Sequence, residues 1–537
     1  MTTPAERVPI LIAGGGYAGL TLALFLADLG VPALMVDRHP GVSIQGRARG
    51  INPRTMEIYR PLGLEAAVSG AGKPFAEDRG VAWCHTLAGD WNWIVDEDAP
   101  TSFPGSTAGE FVLADQSSVE PILVGAARRR GADLRFNTEL ISFDPDADPI
   151  TAEIEDRATG ERRAVRADYL IAADGNRSPI RERIGIGRPG PGVVRRFTSI
   201  VFDADLSDVV RRRALFWIVA NPEIGSGGGG FATTATPGRW AAAVSHDPNT
   251  SDPGDASPSA YPPQRCVEVV RAMVGRPDLE VDVVDVASWE EAVGVADAFR
   301  RERVFLVGDS AHVWPPAGAM GANSAVHDAH NLAWKLAAVL KGWAGASLLD
   351  TYEDERRPVA LRLANLTVRR QQARFEQGTD LEDVDDLSCI LGQHYDSSAV
   401  LDAAPEPVIG SAMEQDGRPG RRAPHLWLER GGRRIATHDL FGKGFVLLTG
   451  PGGEPWRDAV NALRGRTGIP LEAYRVGRAA PAELLDVDGA WPARSGVGPE
   501  GALLVRPDGY VAWRAQDGSG ATMLAHAMAR VLGREVG

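Results

Sequence analysis

The chain has 537 residues and a formal net charge of −14 at neutral pH. That length exceeds one compact core and predicts two or three domains, and the acidic balance argues against nucleic acid or an anionic membrane as partner. Cys84, Cys266 and Cys389 are too few and too far apart for a disulfide framework or a metal spacing, and no acidic or thiol cluster completes a site around His327 and His330, so no metal is expected. The apolar stretch from Ile10 to Leu29 is interrupted by glycines and follows Glu6 and Arg7. It therefore predicts neither a signal peptide nor a membrane span, and a soluble, cytoplasmic protein is expected.

In chain order, Val8 to Ala13 reads as a strand, Gly14-Gly15-Gly16-Tyr17-Ala18-Gly19 as a G-x-G-x-x-G turn, and Leu20 to Leu29 as a helix stopped by Gly30. A second strand, Ala33 to Val36, ends in Asp37. This is a dinucleotide fingerprint in its strand–turn–helix–strand setting: glycines admit a pyrophosphate, the helix dipole holds it, and the acid takes a ribose hydroxyl. Gly14, Gly16, Tyr17, Ala18, Gly19, Asp37 and the adjoining Arg38 are the candidate contacts, and the motif does not distinguish FAD from NAD. The apolar run Tyr169 to Ala173 leads into Asp174-Gly175-Asn176-Arg177-Ser178-Pro179-Ile180-Arg181. From Thr198 to Val244 short runs alternate apolar and polar around the glycines at 225 and 227–230, as antiparallel strands do. Two readings fit Trp217, Phe231 and Trp240 on this sheet, and Trp83, Trp91 and Trp93 before it: stacking on a large planar ligand, or filling the core.

The most informative stretch follows the strand-like Arg303 to Val307: Gly308-Asp309-Ser310-Ala311-His312-Val313-Trp314-Pro315-Pro316-Ala317-Gly318-Ala319-Met320-Gly321-Ala322-Asn323. An aspartate at a strand end suits a ribityl chain. Pro316 and Gly318 combine a stiffened backbone with room for amides to approach a flat ring. The helical spacing of Asp328 to Leu336 predicts a helix whose start, with Gly321, Ala322 and Asn323, directs free amides at a flavin's pyrimidine edge.

The three motifs, in this order, resemble the flavoprotein aromatic hydroxylases of the para-hydroxybenzoate hydroxylase type. The segments Arg196 to Asp205, Asp350 to Arg357 and Leu504 to Arg514 narrow the resemblance to polyketide hydroxylases of the aklavinone-hydroxylase kind. The resemblance implies bound FAD, NADPH or NADH as a transient co-substrate, and O2 added at the flavin C4a carbon to give a hydroperoxide that oxidises a polycyclic aromatic polyketide. It implies FAD contacts at Arg47 and Gln116, and a place for Arg49 near the active-site face; Ala319 stands where relatives carry a second glycine. It also implies an α/β fold. The expected arrangement is a discontinuous Rossmann-like FAD domain (1–75, 105–185, 285–395) with an inserted antiparallel-sheet substrate domain (76–104, 186–284); the Pro-, Gly- and Arg-rich run Gly417 to Pro424 reads as part of a linker (396–424), and a thioredoxin-like C-terminal domain (425–537) follows. No cysteine follows Cys389, so that last domain has no C-x-x-C redox role. Strand-like runs at Gly444 to Leu448, Leu471 to Val476 and Ala502 to Val505 precede a closing helix, Thr522 to Leu532.

No triad or paired carboxylates stand out, as expected where the cofactor carries the chemistry. A phenol reacts better as phenolate, so Arg49, or Arg374 with Arg369 and Arg370, are candidate cations beside it; solvent exposure of each is the other reading. Pro316 and Gly318 are expected to shape the oxygen-transfer site. Two rivals share these motifs: Baeyer–Villiger insertion or oxidative ring rearrangement, and a non-catalytic flavin- or polyketide-binding protein. A monomer or homodimer is expected.

Overall fold

The computed structural model describes residues 5–44, 48–78, 80–95, 100–224, 228–247, 256–375 and 384–534. The strand Glu6–Ala13 carries Ile10, Leu11 and Ile12 in succession without exposed surface. A strand apolar on both faces belongs inside a parallel sheet. Arg162–Ala172 lies parallel to it on one side and Ala33–Asp37 on the other, with Val304–Leu306 and Asp133–Phe136 continuing outward. Because these strands run the same way, Ala13, Asp37, Ala172 and Leu306 all end at one edge, and the three motifs of the sequence meet there. That carboxyl edge is where open α/β sheets take ligands. The helices Tyr17–Asp28 and Met320–Leu340 pack together against the sheet.

A second eight-stranded sheet runs in the order His312–Val313, Asp282–Val295, Gly192–Asp203, Arg239–His246, Gly229–Thr233, Phe216–Val219, Val81–Cys84, Trp91–Val95. Its pairs are antiparallel except for Phe216–Val219 beside Val81–Cys84. One face is closed by the helix Pro263–Val274, whose Val270 and Met273 join Trp217, Phe231 and Phe202 in a separate core.

The C-terminal unit is a seven-stranded sheet with Phe445–Thr449 at its heart, parallel to Leu471–Gly477 and antiparallel to Ala502–Val505. The closing helix expected from Thr522 begins as a 3-10 turn, Gly518–Met523, and becomes α only at Leu524–Val531. The segment expected as a linker is packed in place. Ala423 is fully buried, Arg422 pairs with Tyr510 in a β-bridge, and its guanidinium meets Glu57 of the first unit at 2.9 Å.

Charged groups bury the join between these units. Arg506 donates to both oxygens of Glu355 at 2.5 and 2.8 Å, Lys335 adds a bond at 2.7 Å, and Ser397 another at 2.7 Å. Asp508 pairs with Arg506 at 2.5 Å. A second knot joins Asp328 to His312 and Arg356, both at 2.7 Å. Cys84, Cys266 and Cys389 are free and buried. Among the described residues no helix is long and apolar enough to cross a membrane, and no group of three or more His, Cys, Asp or Glu is placed to hold a metal ion.

Candidate active site

One cavity of about 3520 Å³ opens along the carboxyl edge of the first sheet and over the bare face of the second. Its floor begins at the glycine turn. Gly14 has φ +113°, and a Cβ there would stand 2.1 Å from the Ala173 carbonyl oxygen; one on Gly19 would stand 1.9 Å from the Gly14 carbonyl oxygen. Gly16 caps the helix Tyr17–Asp28 with no side-chain bond, so the first-turn N–H groups are left for a ligand. Gly14, Gly16, Tyr17 and Ala18 line the cavity, whereas Gly19 works from behind, as the contact that seats helix on turn.

Asp37 and Arg38 line the cavity at the next strand end. One oxygen of Asp37 accepts the Gly15 N–H at 2.6 Å and the other the His39 N–H at 2.7 Å. Gln116 also faces the cavity and donates to the buried Glu120 at 2.6 Å. Arg47 lies outside the described residues.

The Asp174 turn and the Asp309 loop are stapled together. Asp174 accepts from the Ser178 hydroxyl at 2.6 Å and the Ile180 N–H at 3.1 Å, while burial raises its carboxyl above the ordinary range. Gly175 turns at φ +83°. Arg181 then reaches the Ser310 carbonyl at 3.1 Å. Arg188 donates to the Asn176 carbonyl at 2.7 Å and approaches that of Asp309 at 3.3 Å. Sequence reasoning missed Arg188, which stands in no motif; only the fold brings it to this joint.

Asp309 itself is exposed towards the cavity at the tip of the turn Gly308–Ser310. Pro315 and Pro316 follow, and the chain passes through left-handed conformations at Gly318 (φ +79°) and Ala319 (φ +54°) before the helix Met320–Leu340. An alanine in that region is strained by roughly 1–2 kcal/mol. Gly321 and Ala322 line the cavity at the start of this helix. Asn323, expected with them as a cofactor contact at the helix start, does not line the cavity, and its side chain is engaged within the protein. Its amide donates to the carbonyls of Gly50 at 2.8 Å and Ala319 at 2.7 Å, and its oxygen accepts from the Asn52 N–H at 3.0 Å. It braces the loop from behind.

Arg49 is neither a solvated charge nor a free cation. Its Nε meets Asp115 at 2.8 Å, Nη2 meets the Thr233 carbonyl at 2.5 Å, and the Phe75 ring lies 4.5 Å from the guanidinium. It clamps the first unit to the second sheet. Arg370 is likewise engaged, with Asp386 and the Val384 carbonyl, and the Arg374 side chain lies outside the described residues.

Of the two readings of the aromatics, core filling holds for Trp217, Phe231 and Trp240, which are not ligand contacts, while Trp83 lines the cavity. Trp217 and Phe231 are wholly buried and Trp240 nearly so, on the side of the second sheet that faces the helix Pro263–Val274. Successive strand residues point to opposite faces, so burying Trp217 turns Phe216 and Ile218 into the cavity. With them come Trp83, paired opposite Ile218, and the stacked Phe197 and Trp289, whose rings lie 4.2 Å apart. Trp91 and Trp93 pack towards the core instead.

These features suit a flavin dinucleotide: a glycine turn open only to an unbranched backbone approach, a ribose-type acid at Asp37, a second acid at Asp309, and an uncapped helix start beside a proline-stiffened loop. Fold and site together define a flavoprotein monooxygenase. A family model described as the FAD binding domain matches residues 7–367, and one described as aromatic-ring hydroxylase, C-terminal, matches 416–535. The chain belongs to the FAD-binding aromatic-ring hydroxylases. It is 42% identical to the tetracenomycin A2 monooxygenase-dioxygenase of Streptomyces glaucescens, over 99% of this chain and 98% of that one. It is 40% identical to aklavinone 12-hydroxylase RdmE of Streptomyces purpurascens, over 98% of this chain and 99% of that one. A solved ternary complex of aklavinone-11 hydroxylase with FAD and aklavinone matches it with a TM-score of 0.88 at 37% identity, covering 99% of this chain and 100% of the other. The cofactor left open by the glycine fingerprint is therefore FAD.

When bound, FAD supplies the activation of dioxygen with electrons from a reduced nicotinamide. Replacing Asp309 with alanine should weaken FAD binding about tenfold to a hundredfold, the worth of a hydrogen bond to a charged group. Titration of apoprotein with FAD reads this directly, and wild-type affinity in that variant would remove Asp309 from the cofactor site.

Proposed function

We propose that this enzyme hydroxylates a polycyclic phenolic polyketide, using NADPH or NADH and O2. The observation that carries the reading is the bare face of the second sheet: small residues bordered by aromatic rings, lining the same cavity as the Pro315–Gly318 loop. A flat, fused-ring molecule gains dispersion and apolar burial on such a surface, where a small phenol would leave much of it wet. In this reading Pro316 and Gly318 hold the loop close to the bound flavin and keep water from the reacting carbon. Gly14, Gly16, Tyr17, Ala18, Asp37, Arg38 and Gln116 bind the dinucleotide, with Asp174, Gly175, Asp309, Gly321 and Ala322 completing its surroundings. Arg49 aligns the two walls of the cavity.

Insertion of more than one oxygen is a second reading, favoured by the 42% identity to a protein described as a monooxygenase-dioxygenase. Product mass after reaction under labelled O2 separates the two.

The test is NADPH oxidation by the yellow holoenzyme with and without hydroxylated anthracyclinones and naphthoquinones, with oxygen uptake and peroxide release followed together. Stimulated oxidation with little peroxide is the expected result. Absence of stimulation by every fused-ring phenol would overturn the reading and favour a binding protein.

A further inference from the structure

On the face of the second sheet turned to the cavity, the strand Gly229–Thr233 presents Gly230 and Ala232, and Arg239–His246 presents Ala241 and Ala243. Apart from the Ser245 hydroxyl towards one end, no residue of these two strands that lines the cavity rises higher than a methyl group. On the far side the wall is rigid: Trp289 stacks on Phe197 with the planes 13° apart, and its indole N–H donates to the Ser199 hydroxyl at 2.9 Å. On the near side stands Phe216, 37% exposed. From the Phe216–Val219 strand to the Asp282–Val295 strand there are four inter-strand steps, roughly 19 Å at the usual sheet spacing.

Phe216 does not stand upright at that edge. A Cβ on Gly230 would fall 2.0 Å from its Cζ, 2.8 Å from Cε2 and 3.0 Å from Cε1, so the ring lies down across Gly230. The strands explain the meeting: Ile218 is the direct partner of Gly230, which makes Phe216 its diagonal neighbour on the same face. Any larger residue at 230 must lift the ring into the cavity.

Resting on the function proposed above, we propose that the Phe216–Gly230 pair determines the length of fused-ring system the enzyme accepts. The absence of a side chain at Gly230 keeps Phe216 low, and the lowered ring extends the flat surface on which the outer ring of a long polycycle rests. The Phe197–Trp289 stack is the fixed end of this surface, and Phe216 is the end that sets its extent.

Equilibrium binding to the oxidised holoenzyme tests this, read from the perturbation of flavin absorbance by a tetracyclic anthracyclinone and by a hydroxynaphthoquinone. Gly230→Ala should keep its FAD and its unfolding midpoint, because the end of the Phe216 ring rather than main chain takes up the new methyl, and should bind the tetracycle about tenfold more weakly, because the lifted ring then stands on the ligand's surface. The naphthoquinone should change less than about threefold. Adding Phe216→Ala to Gly230→Ala should restore tetracycle binding to within about threefold, because the ring that was lifted is gone. Equal weakening for both ligands, or no recovery in the double variant, would overturn the assignment while leaving the proposed function standing. Wild-type protein that binds neither ligand would overturn the proposed function itself, and this inference with it.

Discussion

Arg506→Met should lower the unfolding free energy by about 3–5 kcal/mol, the cost of breaking a fully buried ion pair from one side. Neither Arg506 nor Glu355 has exposed side-chain surface, and removal of the guanidinium leaves Glu355 with Lys335, Asn331 and Ser397 as donors but without its bidentate partner. Asp508 loses its ion partner in the same step. Burial by itself would raise the Glu355 carboxyl, yet the charges of Arg506 and Lys335 outweigh it and hold the group well below the carboxylate range. A carboxyl depressed on folding contributes its full stability above its unfolded value near 4.3, and that contribution is lost progressively as pH falls from there towards its much lower folded value. The variant should therefore be less stable at neutral pH and lose less on acidification from about pH 5 towards pH 2. Urea midpoints of wild type and variant across that range check both parts, and parallel curves would show that Arg506 does not set the Glu355 charge. The C-terminal unit is thus more than a cover, since it supplies the cation that satisfies a carboxylate on the Thr351–Phe375 helix of the FAD-binding unit.

Gly19→Ala should weaken FAD binding at least about a hundredfold, or ~2.7 kcal/mol. The new methyl would sit 1.9 Å from the Gly14 carbonyl oxygen, a main-chain atom that cannot swing aside, so the helix start must move away from the turn that binds the pyrophosphate. Gly16→Ala makes the contrast. A Cβ there meets only Glu120 Oε1, at 4.0 Å, so the apoprotein should fold with an unchanged midpoint while FAD binds more weakly, because that position faces the cavity. Flavin retained through gel filtration and the melting of each apoprotein separate the two cases. A Gly19→Ala protein as yellow as wild type would show that helix and turn can part without disturbing the site.

Much of the cofactor side could be read from the chain itself, because local chemistry determines it. A glycine turn between an apolar strand and a helix binds a dinucleotide wherever it folds, and parallel strands deliver their carboxyl ends to one edge. Asp37, Asp174 and Asp309 were recognisable since each follows an apolar run that had to be such a strand. The C-terminal sheet was legible for a similar reason, through its apolar runs. Asn323 misled because its motif position says nothing of which way its amide turns, and the Gly50 carbonyl that holds it comes from far along the chain. The supposed linker misled because a composition rich in proline, glycine and arginine suits a packed crevice as well as an open spacer.

The sequence by itself determined the kind of cofactor domain, the order of its motifs and the resemblance to aromatic hydroxylases, all of which rest on short-range patterns. Only the tertiary structure decided which aromatics meet the cavity. Alternation along a strand divides residues between two faces but does not say which face the helix Pro263–Val274 will cover; once that helix claimed Trp217 and Phe231 for its core, Phe216 and Trp289 were left to the ligand. The same holds for Arg49, Arg188 and Arg506, which reach Thr233, Asp309 and Glu355 in other units and whose roles exist only after those units have come together.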